Sequence, residues 1–191
     1  MDYLISLGSF PNYEITVWSW RNGDKLTSQE TGMRGTHHIF SCSPYSPPVV
    51  AQTTVHSTAV ILWEVHICFK NCLLTKLEFN IDSATPPCKF TWTPDGALII
   101  ISATGRIFMI DIEKRKLQYI FNWTGSCKNI IPDINWYEGG IVISGPDGDV
   151  KHFKRIGPTE WEISWSVSPE NHFLALATCL GRDHIVGLSY K

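Results

Sequence analysis

The phrase "ITVWSW" at residues 15–20 returns 45 residues later as "VILWEV" at residues 60–65. Each is an apolar run that reaches a tryptophan at its fourth position. Self-similarity at a fixed interval constrains a chain more than composition does, because every repeat must be one supersecondary unit that buries its apolar face on the next. The fourth residue of each such run is Trp18, Trp63, Ile110 in "IFMIDI", Phe153 in "VKHFKR" and Leu188 in "IVGLSY". The successive steps are 45, 47, 43 and 35 residues. The first three fall at or near the roughly 40–45-residue period of a four-stranded repeating unit.

A second set of markers supports the same period. "SCSPYSP" (41–47), "TWTPDG" (91–96), "NWYEGG" (135–140) and "SVSPENH" (166–172) each join one β-like run to the next. Their chemistry is that of turns: proline presets φ, aspartate bonds locally, and glycine accepts positive φ. The runs "VVAQTTV", "ALIIISAT", "GIVISGPDGD" and "FLALATCLG" follow them. They are short, apolar and bounded by turns, which predicts inner strands buried on both faces. "RNGD" at Arg21–Asp24 predicts a hairpin between "ITVWSW" and "KLTSQET". No window of ten residues or more carries apolar residues at helical spacing.

Each unit therefore reads as strand, turn, buried strand, tight turn, aromatic-ended strand, hairpin and polar strand. That is one blade of a β-propeller, and over essentially the whole chain the pattern resembles the WD-repeat family. The fold expected is all-β, a WD40-type propeller with about four to five four-stranded blades, at residues 1–34, 35–84, 85–126, 127–168 and 169–191. The first unit starts at its second strand, "YLISLGSF". "EWEISWSVS" either closes the fourth blade or opens the fifth. The dipeptide of the family is degenerate: only Asp111 keeps the acid, while Trp18 and Trp63 are followed by serine and glutamate. The Gly-His pair is read as absent. The buried His–Ser–Trp–Asp network that the resemblance implies is therefore not expected intact in any blade.

"SLGSFPNYEITVWSWRNGDKL" (6–26) is similar to a segment of the large cilia- and flagella-associated WD-repeat proteins of the 43 and 44 type. Gly8, Pro11, Asn12, Tyr13, Ile15, Thr16, Val17, Trp18 and Trp20 carry the match. This resemblance implies a ciliary or flagellar axonemal setting in the cytoskeleton. The implied role is a non-catalytic scaffold that helps anchor inner dynein arms to microtubules. The implied partners are other proteins: axonemal subunits, dynein tether components and tubulin. The alternative is a general WD-repeat adaptor, recruiting substrates to a ubiquitin ligase or serving a trafficking complex; a hydrolase sited in a propeller channel is a third class. At about 43 residues per blade the chain holds roughly 4.4 blades. It is thus expected to be part of a larger propeller, and to associate or dissolve poorly when expressed alone.

Composition narrows the partners. Hydrophobic residues are 43% and charged residues 18% of 191, with net charge −2, so neither nucleic acid nor an anionic membrane is favoured. No apolar run approaches the roughly 20 residues of a membrane span. "MDYLISLGSF" lacks a basic region and does not read as a secretory signal. The six cysteines, at 42, 68, 72, 88, 127 and 179, show no framework spacing and read as reduced thiols of a cytoplasmic protein.

No catalytic, cofactor-binding or metal-binding residue is assigned. His66, Cys68 and Cys72, with His56 near in sequence, lack the second ligand pair that zinc requires. Asp147 and Asp149 flank a glycine but lack the ligand ladder of a calcium loop. No nucleophile elbow, zincin motif, P-loop or dinucleotide fingerprint occurs, and no small-molecule substrate is indicated. The basic runs "EKRK" (113–116) and "KHFKR" (151–155) read as a hairpin and as an alternating strand. Contact residues of a docking face, chosen as aromatic or basic side chains near loops, would be Tyr45, Lys70, Trp161 and Arg182.

Overall fold

The computed structural model describes residues 3–35, 37–45, 47–68, 71–81, 86–123, 133–145, 149–168, 173–178 and 185–189. Every helix or strand among them is a strand, and all pairings are antiparallel between neighbours in sequence. The chain divides into two compact units, residues 1–83 and 84–191.

Unit 1 contains two sheets. The first runs β1 (Tyr3–Leu7), β2 (Glu14–Ser19), β3 (Lys25–Glu30). The second runs β4 (His38–Cys42), β5 (Val49–Thr54), β6 (Ala59–Cys68), β7 (Asn71–Asn80). The repeated tryptophan strands are β2 and β6; β6 is the third strand of its sheet, and β2 is the second of the three described in the first sheet. Ile15 and Val17 of β2 pack with Val50, Ile61, Trp63, Val65 and Leu74 of the second sheet. Period-two alternation puts these side chains on facing surfaces and buries the layer between the sheets. The predicted hairpin at 21–24 forms, with Gly23 at φ 72° and the Ser19 amide donating to the Asp24 carbonyl at 2.8 Å.

Unit 2 contains three sheets. β8 (Pro87–Trp92), β9 (Leu98–Ser102), β10 (Arg106–Asp111) and β11 (Lys116–Asn122) make one. β12 (Asp133–Tyr137), β13 (Gly140–Ser144), β14 (Val150–Arg155) and β15 (Trp161–Val167) make the next. β16 (Phe173–Thr178) and β17 (Ile185–Ser189) pair with each other. The second strands β5, β9 and β13 are buried at every residue, as the small apolar runs predict. Ile99, Ile101, Ile107 and Met109 pack against Ile134, Ile141, Ile143 and Phe153, so aliphatic layers alternate with sheets.

β15 settles the ambiguous segment: it pairs with β14 and closes the fourth sheet. "SVSPENH" therefore leads from one sheet to the next, unlike the other three markers, which join strands within a sheet. Among the described residues no opening strand stands between β15 and β16, which accounts for the final step of only 35 residues. "KHFKR" alternates within β14, which pairs with β13 without a break in register. His152 and Phe153 therefore face opposite sides, and both are buried, at 2% and 7% exposure, because β14 is an interior strand with a neighbour on each edge. The register shift beside them, where His152 faces Trp165 and Phe153 faces Ile163, puts the extra residue in β15.

The expectation that the buried polar network is lost needs correction in the second sheet. The Trp63 indole N–H donates to Gln52 Oε1 at 3.0 Å, and Gln52 Nε2 lies 3.2 Å from His38 Nδ1. His38 Nε2 lies 3.1 Å from the Gly35 carbonyl. An indole is only a donor, so it fixes the amide orientation. Gln52 must then donate to Nδ1, and Nε2–H donates to Gly35. Glutamine here occupies the relay position where serine was sought. In the first sheet Trp18 donates to Ser6 Oγ at 2.8 Å, a shorter version of the same staple.

Candidate interaction site

The motif that carries the ciliary resemblance is first of all a structural device. Gly8 to Tyr13 form the β1–β2 connection, closed by the Gly8 amide on the Glu14 carbonyl at 2.8 Å. Tyr13 sits at φ 44° and lays its ring on His38, with centroids 5.4 Å apart. Its carbonyl accepts from the Thr31 amide at 3.0 Å. Two aromatics stand largely in solvent: Phe10 in the β1–β2 loop, its ring edge-on to Tyr13 at 6.4 Å, and Trp20 in the β2–β3 loop, 80% and 68% exposed. Large exposed aromatics are the residues that anchor protein interfaces. Sequence reasoning did not single them out as contacts. The available signal was their place beside turn residues, outside the apolar alternation.

At the end of unit 1 that carries Tyr13 and His38, a cleft of about 340 Å³ opens between three elements. Gly32, Met33 and Arg34 follow β3, Thr54 to Ala59 turn from β5 into β6, and Lys76 and Glu78 project from β7. Met33, Ala59 and Ile61 supply apolar surface. Arg34, His56, Ser57, Lys76 and Glu78 supply polar groups. Lys76 Nζ lies 3.3 Å from Glu78 Oε2, both being on one face of β7 by period two. Ser57 Oγ is spent locally, accepting from the Ala59 amide at 3.0 Å and holding the turn.

Of the contact residues chosen from sequence, Lys70 and Arg182 lie outside the described residues. Tyr45 is half-buried in the β4–β5 turn, where its amide donates to Ser43 Oγ. Trp161 opens β15 and packs on Phe121 and Trp136 at 6.2 and 6.3 Å between centroids. Its indole nitrogen is buried, so it serves the packing of unit 2.

The cysteine–histidine group is pulled apart by register. His66 and Cys68 share a face of β6, whereas Cys72 lies opposite Ile67 and so shares the other face. His56 stands in the β5–β6 turn, and His66 pairs with Glu64 at 3.5 Å. Partial burial pushes the Cys72 thiol above its ordinary range, which lowers its thiolate fraction and its reactivity. Asp147 lies outside the described residues; Asp149 accepts from Ser168 Oγ and faces Lys151 at 3.9 Å. Both basic runs are matched by acids. Lys114 Nζ is 2.6 Å from Asp111 and Arg155 is 3.1 Å from Asp95. Hydrogen bonds from Lys114 hold the Asp111 carboxyl below its usual range and raise Lys114. At Asp95 partial desolvation acts upward, but hydrogen bonds from Thr93 and Arg155, with the charge of Arg155, outweigh it and lower the carboxyl. Such pairing removes the unopposed positive field that polyanion binding needs.

In unit 2 the sheets are tied to one another by polar bonds as well as packing. The Trp136 amide donates to Thr91 Oγ1 at 3.0 Å, linking β12 to β8. Asn135 Nδ2 donates to the Leu176 carbonyl at 2.8 Å, and Asp133 Oδ2 accepts from the Leu176 amide at 2.7 Å, linking β12 to β16. Buried layers with such ties give a stiff frame on which loops are displayed, the usual arrangement for docking surfaces. No described helix is long and apolar enough to cross a membrane.

No family profile matches the chain. A curated relative, mouse (Mus musculus) cilia- and flagella-associated protein 44, is 24% identical over 154 residues. The match takes in 78% of this chain and 8% of that protein, so the chain spans a small part of its relative's length. Among solved structures, the β-propeller domain of Myceliophteria thermophila Cps50 (Swd1) superposes with a TM-score of 0.70 at 12% identity, covering 99% of this chain and 63% of that one. A complex of KlAtg21 with the coiled coil of AgAtg16 gives a TM-score of 0.64 at 14% identity, covering 87% and 54%. Identities this low speak to fold alone. Together with the antiparallel four-stranded sheets they make this chain an all-β protein of the WD40-type β-propeller fold.

Proposed function

We propose that this chain is a propeller portion of a non-catalytic scaffold in the ciliary or flagellar axoneme, where it helps anchor inner dynein arm machinery to microtubules. The observation that carries the reading is the 24% identity to cilia- and flagella-associated protein 44 across 78% of the chain. The sequence motif at 6–26 supports it from within that span, and the exposed Phe10 and Trp20 give such a scaffold its contact residues. The mechanism is docking by shape and by displayed side chains on stacked sheets; no bond is made or broken.

Fractionation of the endogenous protein tests this. Detergent-extracted axonemes and soluble extract, from ciliated and non-ciliated cells, are blotted with an antibody to this sequence. The expected result is an axonemal band far above 21.6 kDa. A soluble band near 21.6 kDa in both cell types would overturn the axonemal setting and leave a general adaptor.

A further inference from the structure

We infer that the unit 1 cleft is a docking pocket for one acidic side chain, a glutamate or aspartate, in an extended segment of a partner protein. The inference rests on the protein-docking reading above, but not on the axonemal setting.

The lining selects the ligand. Arg34 is exposed at the mouth and makes no ion pair with the described residues. Lys76 is only 35% exposed, and its ammonium lies 3.9 Å from where a Cβ on Gly32 would stand. The ammonium thus lies against the loop; Gly32 itself is required by its φ of 73° and not by the lysine. With Glu78 opposite, the two cations and one carboxylate leave a local charge of +1, before His56 is counted. That balance suits a ligand with one negative charge. A phosphate carries more, and would sit against the Glu78 carboxylate. The planar guanidinium of Arg34 offers paired N–H donors matched to a carboxylate. Met33, Ala59 and Ile61 add a smaller apolar share to a mainly polar lining, against which the methylene groups of an acidic side chain can lie and a free inorganic ion cannot. The volume of about 340 Å³ admits a side chain or two, not a folded surface. The whole chain carries net charge −2, so attraction for an acidic segment must be local, and this cleft supplies it.

The test uses the full chain, labelled with ¹⁵N and titrated with acetyl-Leu-Glu-Leu-amide while amide shifts are followed. Acetyl-Leu-Gln-Leu-amide and inorganic phosphate are titrated as comparators. We expect saturable shifts at Gly32, Arg34, Ser57 and Lys76. Binding of the glutamate peptide should be at least about fivefold tighter than that of its glutamine analogue, since a charge-assisted bond is lost. The advantage should shrink in high salt and vanish in an Arg34→Gln/Lys76→Gln variant whose spectrum elsewhere is unchanged. Equal affinity for the two peptides, shifts mapping elsewhere, no saturable shift, or tighter binding of phosphate would each overturn the proposal. If that variant misfolds, Lys76→Arg serves in its place and should retain the preference for glutamate. None of these outcomes alters where the endogenous protein fractionates, so the two readings fail separately.

Discussion

Trp63, Gln52 and His38 show how a repeat protein can keep a function while changing the residue that performs it. Trp63 and Gln52 are both fully buried, so each polar atom must find its partner within the protein. Replacing Trp63 with phenylalanine keeps most of the ring volume but removes the indole donor to Gln52 Oε1. Leaving a buried acceptor unmet costs about 1–3 kcal/mol. We therefore expect Trp63→Phe to lower unfolding stability by that order in urea titrations. Gln52→Leu in the same background should recover part of the loss, because it removes the stranded group, and the two changes should be non-additive. Additive losses would mean that packing, not the hydrogen bond, carries the effect. This relay was poorly legible from sequence for a specific reason. Gln52 stands inside "VVAQTTV", where a lone polar residue reads as strand noise, and His38 lies three residues after Gly35 instead of directly after a glycine. Only the register, which pairs His38 with Thr54 and Gln52 with Ile61, brings the three onto one face.

Strands and their turns were far more legible, because period-two burial and turn chemistry are local. The connection between β12 and β13 is the sharpest case. Glu138 and Gly139 sit at φ 42° and 74°, positive at both central positions, as a type I′ turn demands. Glycine meets that demand freely; glutamate does not, since the left-handed region costs an ordinary residue roughly 1–2 kcal/mol. Glu138→Asn restores the favoured Asn-Gly pair and should raise stability by about 0.5–1 kcal/mol, seen as a higher denaturant midpoint with unchanged slope. Gly140 next to it is different in kind. A Cβ there would come within 2.2 Å of the Phe153 carbonyl oxygen, so room and not φ is what requires glycine. What sequence could not resolve at this scale was the fate of "EWEISWSVS". Its alternation fits an outer or an opening strand equally, and only pairing with β14 decides.

At the scale of the molecule, the charges are few and nearly balanced in sign, so acid should act on this protein weakly and at identifiable places. The whole chain has 18 acidic and 16 basic side chains other than histidine. Within unit 2 two carboxyls are held below their ordinary range, Asp111 by Lys114 and Asp95 by Thr93 and Arg155 against partial desolvation. The Asp95 pair matters more to architecture. It joins the β8–β9 turn to the end of β14, whereas Asp111 and Lys114 belong to one hairpin. A carboxyl that is more acidic folded than unfolded stabilises the fold above its unfolded value, and that contribution disappears as pH falls through the folded value. The window therefore lies below about pH 4. The Asp95 side chain is 62% exposed, so solvent screening limits its worth to a few tenths of a kcal/mol. Asp95→Asn should accordingly melt slightly lower than the parent chain at pH 7, and the gap should narrow as both are taken below about pH 4. It should also narrow in 1 M salt, where the screening length falls to about 3 Å. A gap that changes neither with acid nor with salt would show that Asp95 acts through its hydrogen bonds as a neutral group and not as the anion facing Arg155.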